Sequence, residues 1–190
     1  MDATLIIVAV LIIAILIVWW YSKRQRSAKL QEKFGSEYER TVAEKGDTRK
    51  AEDELTDRQK RVSKLEIRPL AADERRRFND EWQAVQARFV DDPSTAVQDA
   101  DALVGRVMAA RGYPVSDFEQ RSADMSVDHS PTLGHYRAAH DIALRDAQGQ
   151  ANTEDLRQAV IGSHVLFREL VEEPPTVEGS PDVAVPVAAE

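Results

Sequence analysis

The feature that most constrains this chain is an uninterrupted apolar run near its N-terminus, from Thr4 to Tyr21 (TLIIVAVLIIAILIVWWY), which contains no charged residue. About 18 such residues are enough to cross the ~30 Å hydrocarbon core of a bilayer as a helix. A helix satisfies its own backbone hydrogen bonds where no water is present. We therefore expect residues 4–21 to form a single-pass transmembrane helix, with the rest of the chain on one side of the membrane.

The residues that flank this run predict that it is retained. A cleaved signal peptide needs a positively charged segment before its apolar run and a small-residue cleavage site after it. Asp2 is the only charged side chain before the run, and the sequence at its end, WWYSKRQR, has no such site. These features favour a signal-anchor over a cleaved signal peptide.

Aromatic and basic residues at the end of the run predict both the membrane–water interface and the orientation. Amphipathic rings favour the headgroup level, and the positive-inside rule places clustered lysine and arginine in the cytoplasm. We expect a protein of the inner (cytoplasmic) membrane with its N-terminus outside, whose cations attract anionic lipid headgroups of the bilayer. The predicted interface residues are Trp19, Trp20, Tyr21, Lys23, Arg24, Arg26 and Lys29.

Charge divides the remaining chain into a basic part near the membrane and an acidic part beyond it. Residues 22–65 carry 13 basic and 9 acidic side chains, whereas residues 66–173 carry 12 basic and 20 acidic ones. An acidic distal domain argues against nucleic-acid binding, which needs a concentrated basic face. The chain has no cysteine, which excludes disulfides, thiol catalysis and cysteine metal sites.

Periodicity and capping signals predict an all-α fold. Two helices separated by a break at Gly46-Asp47 form a charged juxtamembrane hairpin or stalk over residues 22–65. Pro69 marks a connector, because the residue before proline is disfavoured in a helix. Residues 66–173 then form a compact helical bundle, and the acidic, proline-containing residues 174–190 are expected to be a disordered tail.

Apolar stripes at helical spacing predict the core of that bundle. The aromatic members are interpreted as core residues rather than as a ligand site. The predicted stripes are Phe78, Trp82, Val85 and Phe89; Val97, Ala100, Val104, Val107 and Met108; Leu133, Tyr136, His140, Ala143 and Leu144; and Leu156, Val160, Phe167 and Leu170. Caps are predicted at Asp47, at Asp92 and Gly112, at Ser116 or Asp117, at Ser130-Pro131 and at Asn152.

Residues 51–65 leave two interpretations open. Their 4-3-4-3 spacing, Ala51, Leu55, Arg58, Val62 and Leu65, is that of a coiled coil, but one seam position is an arginine. Two heptads are fewer than a coiled coil normally needs. The first interpretation is a helical hairpin that lies against the rest of the domain, and the alternative is a self-associating stalk that forms a homo-oligomer.

No constellation of residues predicts a catalytic, cofactor-binding or metal site. His135 and His140 are five positions apart and point about 140° from each other on a helix, so they are poorly placed to chelate together. His140 lies on an apolar stripe, and His129 is expected in a turn before a capped helix. A histidine-dependent enzyme or metal-binding sensor that uses His129 or His140 is therefore only a further alternative.

Four stretches resemble a group of uncharacterised bacterial proteins that are single-pass, membrane-anchored and helical. They are FGSEYERTVAEKGDTRKAEDEL, RQKRVSKLEIRPL, FNDEWQAVQARFVDDPSTAV and RGYPVSDFEQRSADMSVDH. The resemblance covers about residues 34–172 and implies a similar layout, with no assigned activity to carry over. Together with the charge order, the sequence predicts a membrane-tethered cytoplasmic adaptor or scaffold that binds a protein partner through its acidic bundle.

Overall fold

A computed structural model describes residues 24–114 and 116–172, together with Leu11, Ile13 and Trp20. The rest of the predicted span at 4–21 and the predicted tail at 174–190 lie outside the described residues. Within the part of the chain that is described, no helix combines the length and apolar content needed to cross a bilayer.

All regular secondary structure in the described residues is helical, which confirms the predicted all-α class. Of the helices described from residue 24 onward, the first three (residues 24–62) are called the hairpin below, and the remaining five are called the bundle. The helices are α1 (24–34), α2 (Ser36–Lys45), α3 (Thr48–Val62), α4 (Ala72–Asp91), α5 (Pro93–Arg111), α6 (Phe118–Met125), α7 (Ser130–Asp146) and α8 (Thr153–Glu172).

Most helix ends coincide with the predicted capping residues. Asp47, Asp92 and Asp117 each accept a hydrogen bond from the backbone N–H three residues later, at 2.8, 3.1 and 2.8 Å. The side chain of Asn152 accepts from two backbone N–H groups at the start of α8. Gly112 ends α5 with a left-handed backbone (φ 100°), which a residue with a Cβ rarely adopts.

Three local predictions are wrong, two of them because a tertiary contact decides the outcome. The helix predicted over 22–45 is interrupted at Gly35, whose φ of 50° breaks the chain direction between α1 and α2. His129 rather than Ser130 precedes α7, and the hydroxyl of Ser130 donates instead to the carbonyl oxygen of Lys33. Leu144 is 51% exposed rather than buried.

The exposure of Leu144 follows from the way α7 meets α8. A Cβ at Gly162 would lie 2.6 Å from the carbonyl oxygen of His135 and 3.4 Å from the Cβ of Ala139. The two helices therefore approach closely along a face that includes Ala139 and Ile142, both of which are buried. The buried face of α7 is therefore rotated relative to the predicted stripe, and Leu144 lies at the surface.

The bundle has one apolar core, with α5 in contact with α4, α7 and α8. Alanine and valine dominate the buried face of α5, so its neighbours can approach it closely. Phe78 and Trp82 of α4 and Phe167 of α8 supply the larger side chains. The predicted stripes of α4, α5 and α8 are buried apart from Phe89, which is half-buried.

The hairpin has a smaller apolar cluster of its own. It is formed by Leu30, Phe34 and Tyr38 from α1 and α2 with Leu55 and Val62 from α3, and Val127 of the bundle joins it. The four-residue spacing of the first three positions keeps them on one side of the chain through the Gly35 bend. This side of α1 and α2 therefore faces α3.

Candidate functional site

The predicted membrane-interface residues that the structure describes are Trp20 and three cations of α1, and all four are exposed. The guanidinium carbon of Arg24 lies 5.4 Å from the centre of the Trp20 ring, and Lys29 is exposed. Arg26 is engaged with α3, donating to Asp53 at 3.2 Å and to Thr56 at 2.9 Å. Trp19, Tyr21 and Lys23 lie outside the described residues.

Arg26 therefore differs from its neighbours in the predicted interface. Its partner Asp53 is 59% exposed, so the pair is solvated and contributes little to stability. The pair ties α1 to α3 but neutralises one of the cations assigned to the lipid surface. Arg24 and Lys29 remain as described cations of this segment that face solvent.

The four histidines are separated in the structure and serve different contacts. His129 is 1% exposed and its Nδ1 lies 2.7 Å from Glu169 of α8. His140 stacks on Phe118 with ring centres 3.5 Å apart, and His164 stacks on Trp82 at 4.7 Å. His135 is exposed. Among the described residues, no group of three or more potential ligands is placed to hold a metal ion.

The surroundings of His164 change its titration. It is half-buried beside Trp82 and Phe167, and this burial lowers its pKa below the ordinary value of 6.5. The nearby Arg168 acts in the same direction, whereas Glu172 opposes it. The neutral imidazole is therefore the form that the folded bundle favours.

Most of the buried charge lies between the hairpin and the α6–α7 end of the bundle. Glu37 of α2 and Arg137 of α7 are 3% and 9% exposed. They form a two-point ion pair in which Nε and Nη2 of the arginine donate to the two carboxylate oxygens at 3.1 and 3.2 Å. Buried charges are tolerated in proteins when they are paired in this way.

A second polar contact joins α3 to α6. Asp124 is 1% exposed and accepts from Nε of Arg61 at 2.8 Å and from the amide of Gln120 at 2.9 Å. Arg58, the arginine in the predicted coiled-coil seam, is buried and pairs with Glu54 at 3.0 Å, and its guanidinium lies 3.5 Å from the hydroxyl of Ser126.

The predicted seam of α3 is thus covered within the chain. Ala51, Leu55, Arg58 and Val62 are buried against the other hairpin helices and the bundle, and Leu65 is half-buried. Glu52 lies beside this seam, where it accepts from the hydroxyls of Ser27 at 2.5 Å and Tyr38 at 3.0 Å. Burial and this carboxylate raise the pKa of Tyr38.

A groove of about 490 Å³ opens beside the hairpin–bundle contact. It lies between the Gly35 bend and the turn that joins α6 to α7, and Lys33 and Asp128 face each other across it with 3.7 Å between their charged atoms. Because positive and negative groups alternate on its walls, the groove has no single charge that would select a ligand.

Inside the bundle, one further polar cluster connects α5, α6 and α7. The hydroxyl of Tyr136 donates to Asp101 at 2.5 Å, and Arg121 donates to the same carboxylate at 3.2 Å. Burial and the neighbouring carboxylate raise the pKa of Tyr136. The phenol therefore stays protonated, and the cluster acts as a hydrogen-bonded brace between three helices.

Sequence reasoning did not single out the buried pair of Glu37 and Arg137. The two residues are 100 positions apart, so no local spacing joins them. Arg137 follows Leu133 by one turn of α7 and therefore lies next to the buried stripe. This position was the one sequence signal that Arg137 is buried. Arg58 gave the same signal in α3, as the charged residue at a seam position.

Comparison of the chain with protein-family models, with curated proteins and with solved structures gives no match. The resemblance to uncharacterised membrane-anchored proteins therefore stays a prediction.

Proposed function

We propose that this protein is a membrane-tethered adaptor or scaffold, with residues 4–21 as its anchor and the acidic bundle as the part that binds a protein partner. The observation that carries the proposal is the apolar run followed directly by clustered cations, of which Arg24 and Lys29 are solvent-facing. The orientation rule then places the bundle in the cytoplasm and the short N-terminus outside the inner membrane.

The order of charges along the chain supports a display role for the bundle. All lysines lie between positions 23 and 64, and the acidic excess lies beyond them. A bilayer with anionic lipids attracts the basic segment and repels the acidic one, so the bundle is held away from the lipid surface. Exposed acids such as Asp80 and Asp141 then face the cytoplasm and favour a partner with a basic surface.

The topology is tested with paired reporters fused after Glu190, one active only in the cytoplasm and one only outside it. We expect activity from the cytoplasmic reporter in full-length chains, with the membrane fraction holding the protein after a salt wash. Activity of the outer reporter would overturn the orientation. Recovery of the chain in the soluble fraction would overturn the anchor.

The adaptor role is tested separately by site-specific photo-crosslinking in the native membrane. A photoreactive residue at Asp80 or Asp141 should give a defined crosslinked protein, and the same residue at Asp57 on the exposed side of the hairpin serves as the matched control. We expect the crosslink at the bundle positions to weaken when neighbouring acids are neutralised. Equal labelling from all three positions would contradict a specific acidic binding surface.

The alternative of a self-associating stalk has no support from the position of its seam, because Ala51, Leu55 and Val62 are covered by other parts of the same chain. Sedimentation of the full-length chain in detergent over a range of concentrations measures self-association directly. A concentration-dependent dimer that Leu55→Glu abolishes would favour the stalk over the adaptor.

A further inference from the structure

The contact between the hairpin and the bundle is rich in charge and poor in apolar area. Val127 is the bundle's fully buried contribution to the apolar cluster of the hairpin, and the half-buried connector residues Leu65 and Ile67 contact both cores. The described contact also contains ion pairs and hydrogen bonds, including those of Arg137 with Glu37 and of Asp124 with Arg61.

Such a contact is specific, but separating it as a whole needs little free energy. When both partners of a buried ion pair leave the contact together, water replaces each lost hydrogen bond. When only one partner is removed, the other stays buried without compensation, which is strongly destabilising. Charged pairs therefore favour two well-defined arrangements, docked or fully hydrated, over a partly opened one.

The connector that follows the hairpin is fixed to the bundle, which locates the point of movement. The N–H of Arg68 donates to the carbonyl oxygen of Arg111 at 2.9 Å, and Nε of Arg111 donates back to the carbonyl oxygen of Arg68 at 3.3 Å. Leu70 is buried in the bundle core. A pivot of the hairpin would therefore lie before this fixed part, between the end of α3 at Val62 and Glu66.

We propose that the hairpin is a releasable latch, which detaches from the α6–α7 end as one unit, pivoting between Val62 and Glu66, while the bundle stays folded. Release uncovers a surface on the bundle that contains Asp124, Val127 and Arg137. The proposal concerns contacts within one chain and does not depend on the membrane anchor.

Hydrogen exchange of the full-length chain in detergent, followed by mass spectrometry, measures this release. We expect α2 and α3 to exchange at least about tenfold faster than α5 and α8, because a small unit opens at lower free energy than the whole fold. In the Arg137→Met variant, α2 and α3 should lose their protection while α5 and α8 keep theirs. Simultaneous loss of protection in both regions, or unchanged protection of α2 and α3, would overturn the proposal.

A double variant separates loss of the latch from damage to α7. Glu37→Met combined with Arg137→Met replaces the whole pair with apolar side chains, so no buried charge is left unpaired. We expect this variant to recover most of the protection of α2 and α3. If it exchanges like the single variant, the pair is not what holds the latch. Arg157→Met, which removes an exposed arginine of α8, is the matched control and should exchange like wild type.

A covalent lock provides the converse test. The chain has no cysteine, so Lys33→Cys with Asp128→Cys introduces its only thiols, at positions whose native charged atoms are 3.7 Å apart. A short thiol crosslinker should slow exchange of α2 and α3 to the rate of α5 and α8, relative to the same variant without crosslinker. Equal exchange with and without the crosslink would show that the hairpin does not detach.

Discussion

The bundle and the hairpin of this chain are stabilised by different balances of apolar and polar contact. In the described residues, 24 buried apolar side chains form the bundle core, whereas six form the cluster of the hairpin, so burial favours the bundle far more strongly. Buried charged side chains in the same residues are equal in number, with Glu37, Glu52 and Arg58 in the hairpin and Arg111, Asp124 and Arg137 in the bundle, so charge makes up a larger share of what the hairpin buries. The difference implies that the bundle provides stability and that the hairpin provides specificity of docking.

The largest expected effect is in the bundle core. Leu103 is fully buried in α5, and Leu103→Ala should lower the free energy of unfolding by about 2–5 kcal/mol through lost burial and the cavity it leaves. Urea denaturation followed by circular dichroism measures the loss. Val90→Ala, at an 83% exposed position of α4, is the control and should change little.

The same variant tests the comparison between the two regions. If the hairpin opens while the bundle is folded, Leu103→Ala lowers the protection of α5 and α8 and leaves that of α2 and α3 unchanged. A parallel loss of protection throughout the chain would mean that hairpin and bundle unfold as one unit, and the distinction between them would fail.

A smaller effect is expected from the equivalent change in the hairpin. Leu55 is fully buried in α3, and Leu55→Ala should open the hairpin. The loss in the free energy of unfolding of the whole chain should not exceed the free energy with which the hairpin docks on the bundle. Limited trypsin digestion should cut faster within residues 36–62, while a fragment that contains residues 72–172 persists. Rapid digestion of that fragment as well would contradict the prediction.

A pH effect on the bundle should be smaller still. Because burial lowers the pKa of His164, the unfolded chain binds a proton there more readily than the folded one. The stabilisation is complete above the ordinary pKa of about 6.5 and is lost as the pH falls through the lower folded value. The urea midpoint should therefore fall less between pH 7.5 and 5.5 in His164→Gln than in wild type. Equal falls would show that His164 does not contribute.

The smallest effect is expected on the exposed side of the hairpin. Asp57 pairs with Lys60 at 3.0 Å, but both side chains are 67% exposed. Asp57→Ala should change stability by less than about 0.5 kcal/mol, because water screens such pairs and solvates the separated charges. Trypsin digestion at the rate of wild type would match this expectation, and cleavage as fast as in Leu55→Ala would refute it.

The helices and their ends could be predicted from the sequence because their signals are local. Asp47, Asp92 and Asp117 each lie within three residues of the N–H group that they cap, and the left-handed end of α5 needs only Gly112. The buried stripes of α4, α5 and α8 follow from helical periodicity in the same way. These features depend on neighbouring residues and not on how the helices come together.

The junction could not be predicted because its partners are far apart in the chain. Glu37 looks like an ordinary surface charge in its own helix, and Arg137 is distinguished only by its place beside a buried stripe. Only the docked arrangement makes them a buried pair. The exposure of Leu144 and the role of Ser130 also depend on which helix lies opposite. Periodicity indicates that a face is buried but not which residues of another helix cover it.

The fixed connector also determines where this chain accepts added sequence. In this connector, the carbonyl oxygen of Glu66 lies so close to Gly112 that a Cβ at position 112 would not fit. Arg68 and Arg111 also form two hydrogen bonds with each other, each donating to the other's carbonyl oxygen. The turn around Gly149 between α7 and α8 is exposed and has open space around it. Tags or fluorescent domains inserted at Gly149 should leave the fold intact, whereas lengthening residues 66–70 would uncouple the hairpin from the bundle.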